Sequence, residues 1–139
     1  MGVEVNYLAV VLAMLSSMVV GSIWYARPVF GNTWIKLAKI NMNKKGPSVW
    51  VPIAVTAVVS LLTAYVLAHV AFLSHEFFDN SFVQDSLSTA FWLWLGLTAA
   101  RFVTHDAFEG RPWKLTLLNC AHELVTILLM GLIIGLFGV

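Results

Sequence analysis

Charged residues are scarce in this chain of 139 residues. Asp, Glu, Lys and Arg together make up 11% of it, whereas hydrophobic residues make up 60%. A soluble domain carries about 25% charged residues, so there is too little charge to cover a surface that faces water. We therefore expect a lipid bilayer to cover much of the protein. The net charge of +1 excludes the strongly basic surface that a nucleic-acid partner would require.

Cysteine is almost absent, and the sequence signatures of several enzyme classes are missing. Cys120 is the single cysteine, so the chain forms no intrachain disulfide, and its apolar neighbours indicate a packing role. The sequence contains neither a phosphate-binding loop nor an HExxH zinc motif. Every lysine lies in a loop or at the end of an apolar run, which excludes a retinal Schiff base. We predict no catalytic residue, no metal and no cofactor.

The sequence does contain four long apolar runs. Each is close to the 20 or so residues that a helix needs to cross a bilayer. The first lacks the basic residues that begin a signal peptide and is too long for one. The prediction is an all-α integral membrane four-helix bundle of two transmembrane hairpins, forming a single domain over residues 1–139. The predicted helices cover about 5–25, 50–73, 86–103 and 115–137, with an interfacial helix at 33–40.

Basic residues are concentrated in two of the polar segments. Residues 26–49 hold five of them and no acid, and residues 101–114 hold a second group. The segment 74–85 carries acidic residues but no Lys or Arg. The positive-inside rule places both basic segments in the cytoplasm. It therefore predicts that the N- and C-termini lie outside.

Small side chains recur at four-residue spacing along the first two predicted helices. Such ridges let two helices approach closely, and we expect the two to pack against each other. The fourth helix carries Gly131-x-x-x-Gly135, a close-packing motif that fits either intramolecular packing or a dimer contact. The ridges are Ala9, Ala13, Ser17 and Gly21 in the first helix, and Thr56, Ser60, Ala64 and Ala68 in the second.

Polar residues gather at the cytoplasmic end of the second predicted hairpin. One face of its second helix carries four polar residues at i, i+3, i+4 and i+7 spacing: Asn119, His122, Glu123 and Thr126. Arg101 and Glu123 are equidistant in sequence from Pro112, which predicts a buried ion pair between them. Ionisable groups within a membrane usually face the interior of the bundle. The predicted polar intramembrane cluster is Arg101, His105, Asp106, Asn119, His122 and Glu123.

Three interpretations of this cluster stay open. The cluster either holds the two helices of the hairpin together, or lines a path for protons, ions or small solutes, or binds metal or haem. For the metal or haem interpretation, His105 and His122 have about the same predicted depth in the membrane, but the spacing of the possible ligands matches no diagnostic pattern. Two functions follow. One is an oligomeric transporter or channel, and the other is a non-catalytic accessory subunit that packs against a larger membrane protein complex. An enzyme is less favoured.

One stretch of the chain resembles the signature of a known family. Residues Gly21–Trp34 read G-x-x-W-Y-x-x-x-x-F-G-x-x-W. This pattern resembles DUF1761, small bacterial and archaeal membrane proteins of unknown function. The resemblance implies a four-helix domain in a prokaryotic plasma membrane, and it implies no reaction. The matching residues are Asn6, Gly21, Trp24, Tyr25, Phe30, Gly31 and Trp34.

Overall fold

A computed structural model describes residues 2–44, 46 and 48–138. Over these residues the regular structure is helical throughout, so the chain is all-α. Lys45 of the predicted basic segment and both ends of the predicted domain lie outside the described residues. The elements are α1 (Tyr7–Trp24), a π-helical turn (Arg27–Gly31), α2 (Asn32–Leu37), α3 (Trp50–Phe78), α4 (Phe82–Leu93), a π-helical segment (Trp94–Ala99), α5 (Ala100–Glu109) and α6 (Trp113–Phe137).

Three helices, α1, α3 and α6, are long and apolar enough to cross a membrane. They indicate an integral membrane protein. The remaining stretch, Phe82–Glu109, follows α4, the π-helical segment and α5 without a break, so it extends beyond the predicted 86–103 at both ends. Helix α3 also runs past the predicted residue 73. It ends where Asp79 adopts a left-handed backbone conformation with φ 53°.

The small side chains of α1 and α3 lie in the core of the bundle. Helix α1 packs against α3 and α6, and α4 also packs against α3 and α6. Ala13 and Ala64 are completely buried, because side chains of this size let helix backbones approach closely. Gly21 differs from the rest of its ridge, since it faces His122 of α6. The buried ridge residues are Ala9, Ala13 and Ser17 on α1, and Ser60, Ala64 and Ala68 on α3.

The two glycines of α6 pack against α4 of the same chain. A Cβ placed on Gly135 would lie 2.6 Å from the Cα of Val83, and one on Gly131 would lie 3.0 Å from the carbonyl oxygen of Ser86. Neither position has room for a side chain. In this chain the glycine motif therefore serves an intramolecular contact, one of the two alternatives left open by the sequence.

The N-terminal half of α3 stands clear of its neighbours. Residues 50–56 are exposed on every face of the helix, and the first buried residue is Ser60. The C-terminal half is packed, and its end is tied to α4 through Asp85. That carboxylate is 3% exposed as a residue and accepts hydrogen bonds from Asn80 Nδ2 and His75 Nδ1, each at 3.0 Å.

Candidate functional site

A cavity of about 840 Å³ lies where the N-terminal half of α3 stands clear of α1 and α6. Side chains of α2 and of the π-helical segment close other parts of its wall. Hydroxyl groups are prominent among the lining residues, which is unusual in a chain with so few polar residues. They include Ser17, Thr56, Ser60, Thr63, Thr98 and Thr126.

The hydroxyls of α3 reach the cavity because of their spacing. Thr56, Ser60 and Thr63 stand at i, i+4 and i+7, which is a single face of a helix. The Thr56 hydroxyl donates to the Pro52 carbonyl at 2.7 Å, and the Thr63 hydroxyl donates to the Val59 carbonyl at 3.0 Å. Their hydrogens are thus satisfied within the helix. The oxygen lone pairs remain as acceptors along the cavity wall.

His122 and Glu123 form the ionisable part of the wall. The Nδ1 atom of His122 lies 3.2 Å from Oε1 of Glu123, and the hydroxyl of Thr126 lies 3.5 Å from Nε2. With the ring hydrogen on Nδ1 donated to the carboxylate, Nε2 can accept from Thr126. The Glu123 side chain is 39% exposed, against 14% for His122, so the carboxylate is the more accessible of the two.

Aromatic rings enclose the imidazole of His122. The Tyr25 ring centroid lies 4.9 Å from that of His122 and 5.4 Å from that of Trp34, while the Trp24 centroid lies 5.9 Å from His122. The Tyr25 hydroxyl donates to Oδ1 of Asn119 at 3.0 Å. This bond fixes the end of α1 against α6, and it holds the Tyr25 ring beside the cavity.

The π-helical turn after α1 places these aromatic rings. At Gly31 a Cβ would collide with the carbonyl oxygen of Tyr25 and with the backbone of Ala26, so the chain can fold back this tightly only at glycine. The fold-back packs Phe30 against Trp24, with ring centroids 4.7 Å apart and the ring planes tilted by 40°. The aromatic residues of the 21–34 pattern therefore pair in three dimensions, Trp24 with Phe30 and Tyr25 with Trp34.

The predicted polar cluster is divided by the structure. Asn119, His122 and Glu123 lie together as described, but Arg101 and His105 are exposed on α5. Within the part of the chain that the structure describes, no ion pair includes Arg101. The predicted Arg101–Glu123 pair is therefore wrong.

The π-helical segment is the physical reason for this error. A π turn holds one extra residue compared with an α turn, so the residues after Ala99 are rotated by about 100° from the face that a regular helix would give them. Arg101 is turned away from α6 as a result. The same segment turns Thr98 towards the cavity.

Asp106 has a separate structural role beneath the turn between α5 and α6. It is 6% exposed and accepts a hydrogen bond from the Thr116 hydroxyl at 2.6 Å. Nε of Arg111 lies 3.8 Å from the same carboxylate. These contacts close the hairpin end, so Asp106 does not belong to the cavity.

The placement of the His, Cys, Asp and Glu side chains decides whether they could hold a metal ion. Across residues 2–44, 46 and 48–138, no group of three or more His, Cys, Asp or Glu side chains is arranged to hold a metal ion.

A second cavity of about 520 Å³ lies between α5 and α6 and is almost wholly apolar, with Trp94, Leu117 and Cys120 in its wall. The Trp94 indole Nε1 donates to the Cys120 carbonyl at 2.9 Å.

Sequence reasoning missed most of the cavity wall. The four-residue spacing of Thr56 and Ser60 predicts a packing ridge, because small polar side chains serve packing and ligand contact equally well. Thr63 at i+7 was the available signal, since three hydroxyls on one helix face exceed what packing needs. The His75–Asp85 pair was also missed, because 74–85 was interpreted as a loop.

Comparison with known protein families gives a match over most of the chain. The family described as "Protein of unknown function (DUF1761)" matches residues 8–135. No protein among those with curated descriptions matches the chain, and no solved structure does either.

Proposed function

The chain belongs to the DUF1761 family, for which no function is known, and from its cavity we propose that the protein moves an ion or small solute across the membrane. The observation that carries this proposal is a cavity of about 840 Å³ that bears a carboxylate and several hydroxyls, set among helices able to span a bilayer. Polar groups at membrane depth are costly and commonly mark solute pathways.

The proposal includes a four-span arrangement. The stretch Ser86–Ala100 is uncharged and measures roughly 22 Å as a helix, so we take residues 86–103, which run from within α4 through the π-helical segment into α5, as the fourth span. The bundle then consists of two transmembrane hairpins. With the basic segments facing the cytoplasm, both termini lie outside the plasma membrane. The cavity, near the start of α3 and the end of α1, belongs to the cytoplasmic side.

We propose further that the working form is a homo-oligomer. A chain of 15.4 kDa has little volume for a complete pathway of its own. Residues 50–56 are exposed on all sides of α3, and a second copy would supply the missing wall there. Oligomers commonly assemble through one shared surface.

The same exposed segment supports a second candidate function, an accessory subunit without activity. In that case a helix of a larger membrane complex would occupy the space beside α3, and the hydroxyls of the cavity would bond to that helix. Interhelical contacts of Ser and Thr are common in membrane proteins. The two candidates differ in whether the isolated protein permits any flux.

The test is a flux measurement in liposomes that contain the purified protein. Light scattering follows swelling in a panel of salts and small neutral solutes. Thr56→Trp places a large side chain in the cavity from an exposed position, and we expect at least a tenfold loss of flux. Val58→Trp is the matched control, because Val58 is 59% exposed and does not line the cavity. Wild-type liposomes that stay impermeable to the whole panel would contradict transport and favour the accessory subunit.

A further inference from the structure

The wall of the cavity indicates which class of solute it accepts. We propose that it binds an organic ammonium ion, with the carboxylate of Glu123 as the opposite charge. This inference deepens the proposed function, because the bound cation is then the solute that crosses the membrane. Charge, size and aromatic surface each support it.

The charge of the wall favours a cation. Among the described residues that line the cavity, Glu123 carries a carboxylate and none is Lys or Arg. The hydroxyls of Thr56 and Thr63 each donate a hydrogen bond to a backbone carbonyl of α3. Their oxygen atoms are therefore available to a solute only as hydrogen-bond acceptors. A positive solute with N–H or polarised C–H groups meets these acceptors, whereas an anion would face the carboxylate and no Lys or Arg, with the imidazole of His122 already bonded to that carboxylate. Burying a charge is costly unless it is paired.

The size of the cavity favours an organic ion over a bare metal ion. Ca²⁺ requires six to eight oxygen ligands at about 2.3–2.6 Å, and Mg²⁺ requires a tighter octahedron. A bare ion of that kind would fill only a small part of a space of about 840 Å³. Binding sites for small organic molecules typically have about 300–1,000 Å³, and this cavity lies within that range.

The apolar and aromatic parts of the wall suit the carbon substituents of an ammonium ion. The rings of Tyr25 and Trp34 line the cavity and lie 5.4 Å apart. An alkylated ammonium is attracted to such ring faces. Met18 and Met130 line other parts, and methionine side chains adapt to ligands of varied shape. The wall therefore provides a counter-charge, ring faces and an adaptable apolar surface within a single space.

The experiment measures binding of benzyltrimethylammonium by isothermal titration calorimetry to the full chain in phosphatidylcholine nanodiscs. Benzyl alcohol and benzenesulfonate serve as neutral and anionic probes of similar ring size. We expect the cation to bind and the other two to bind at least tenfold more weakly. Equal binding of benzenesulfonate would overturn the proposal, because the cavity would then have no preference for positive charge.

Variants locate the site. Glu123→Gln should weaken binding of the cation at least tenfold, and Trp34→Leu should weaken it severalfold while leaving the carboxylate in place. Glu76→Gln is the matched control, since Glu76 is exposed and lies outside the cavity wall. Unchanged affinity in both Glu123→Gln and Trp34→Leu would overturn the proposal.

The two proposals can fail separately. Binding of the cation without any flux in liposomes would contradict the proposed function and leave this inference intact. Flux of other solutes, with no binding of benzyltrimethylammonium, would overturn this inference alone.

Discussion

At the scale of single residues, Gly135 shows what an added side chain would do to the contact between α4 and α6. A leucine there would meet the Cα of Val83 at once, so α4 must move away from α6. We expect Gly135→Leu to reduce stability by about 1–3 kcal/mol, as overpacking does. Leu136→Ala should cost little, because Leu136 is 67% exposed. Thermal unfolding in detergent measures both, and equal loss in the two variants would contradict the contact between α4 and α6.

Protonation of the Asp85 carboxylate makes the stability of the folded protein depend on pH. The hydrogen bonds from Asn80 and His75 hold the pKa of this carboxyl below its ordinary value, and Asp85 lies just before the uncharged stretch 86–100. A lowered pKa in the folded state stabilises the protein at pH values above about 3.9, the ordinary pKa. This contribution is lost as pH falls through the lowered folded value.

We therefore expect the melting temperature of the wild type to exceed that of Asp85→Asn at pH 6, and the difference to shrink as pH falls below about 4 and to vanish below the lowered pKa of the folded state. Differential scanning fluorimetry at a series of pH values measures this. Asp79→Asn is the control, since Asp79 is exposed at the end of α3 and asparagine also tolerates its left-handed backbone. A constant difference across the whole pH range would contradict the role given to the Asp85 carboxylate.

Residue types alone predicted which side chains are polar within the apolar runs, but they did not predict where each one points. His122 and Glu123 were recognised because an ionisable group in an apolar helix is rare. Thr56 and Ser60 were not recognised as cavity residues, since a small hydroxyl is compatible with close helix packing. Burial depends on the neighbouring helix, and a single sequence carries no direct record of that neighbour.

At the scale of the elements, the π-helical segment is the feature that sequence periodicity could not supply. Apolar residues precede and follow Trp94–Ala99 in the sequence, so the hydrophobic pattern does not distinguish α-helical from π-helical geometry. The existence of long helices followed from hydrophobic length and from breaks at Gly110 and Pro112. The sequence pattern therefore did not predict the direction in which residues beyond the π-helical segment face. The predicted pairing of Arg101 with Glu123 was wrong for this reason.

The rotation after this segment changes the expected result of a double-mutant cycle. Arg101 is exposed and Glu123 faces the cavity, so Arg101→Met and Glu123→Leu should act independently. We expect their losses of stability in bilayers to add within about 0.5 kcal/mol. Double-mutant loss that is smaller than the sum by several kcal/mol would mean that the two charges meet, and that α5 is oriented differently.

At the scale of the whole molecule, the distribution of basic residues predicts its orientation. In a Cys120→Ala background, a cysteine introduced at Asn43 should be protected from a membrane-impermeant thiol reagent added to intact cells. A cysteine introduced at Phe77, which is 80% exposed at the other end of α3, should be labelled. The reverse pattern would place both termini in the cytoplasm and invert the proposed topology.

The length of α3 connects the cavity to the lipid around it. Its 29 residues measure about 43 Å, whereas the hydrocarbon core of a bilayer is about 30 Å thick. A helix longer than the bilayer tilts, and it tilts further when the bilayer is thinner. The packed C-terminal half of α3 resists this movement and the free N-terminal half does not, so the change falls on the wall of the cavity. We therefore expect the acyl-chain length of the surrounding lipid to change the width of the cavity, so that membrane thickness affects what can enter it.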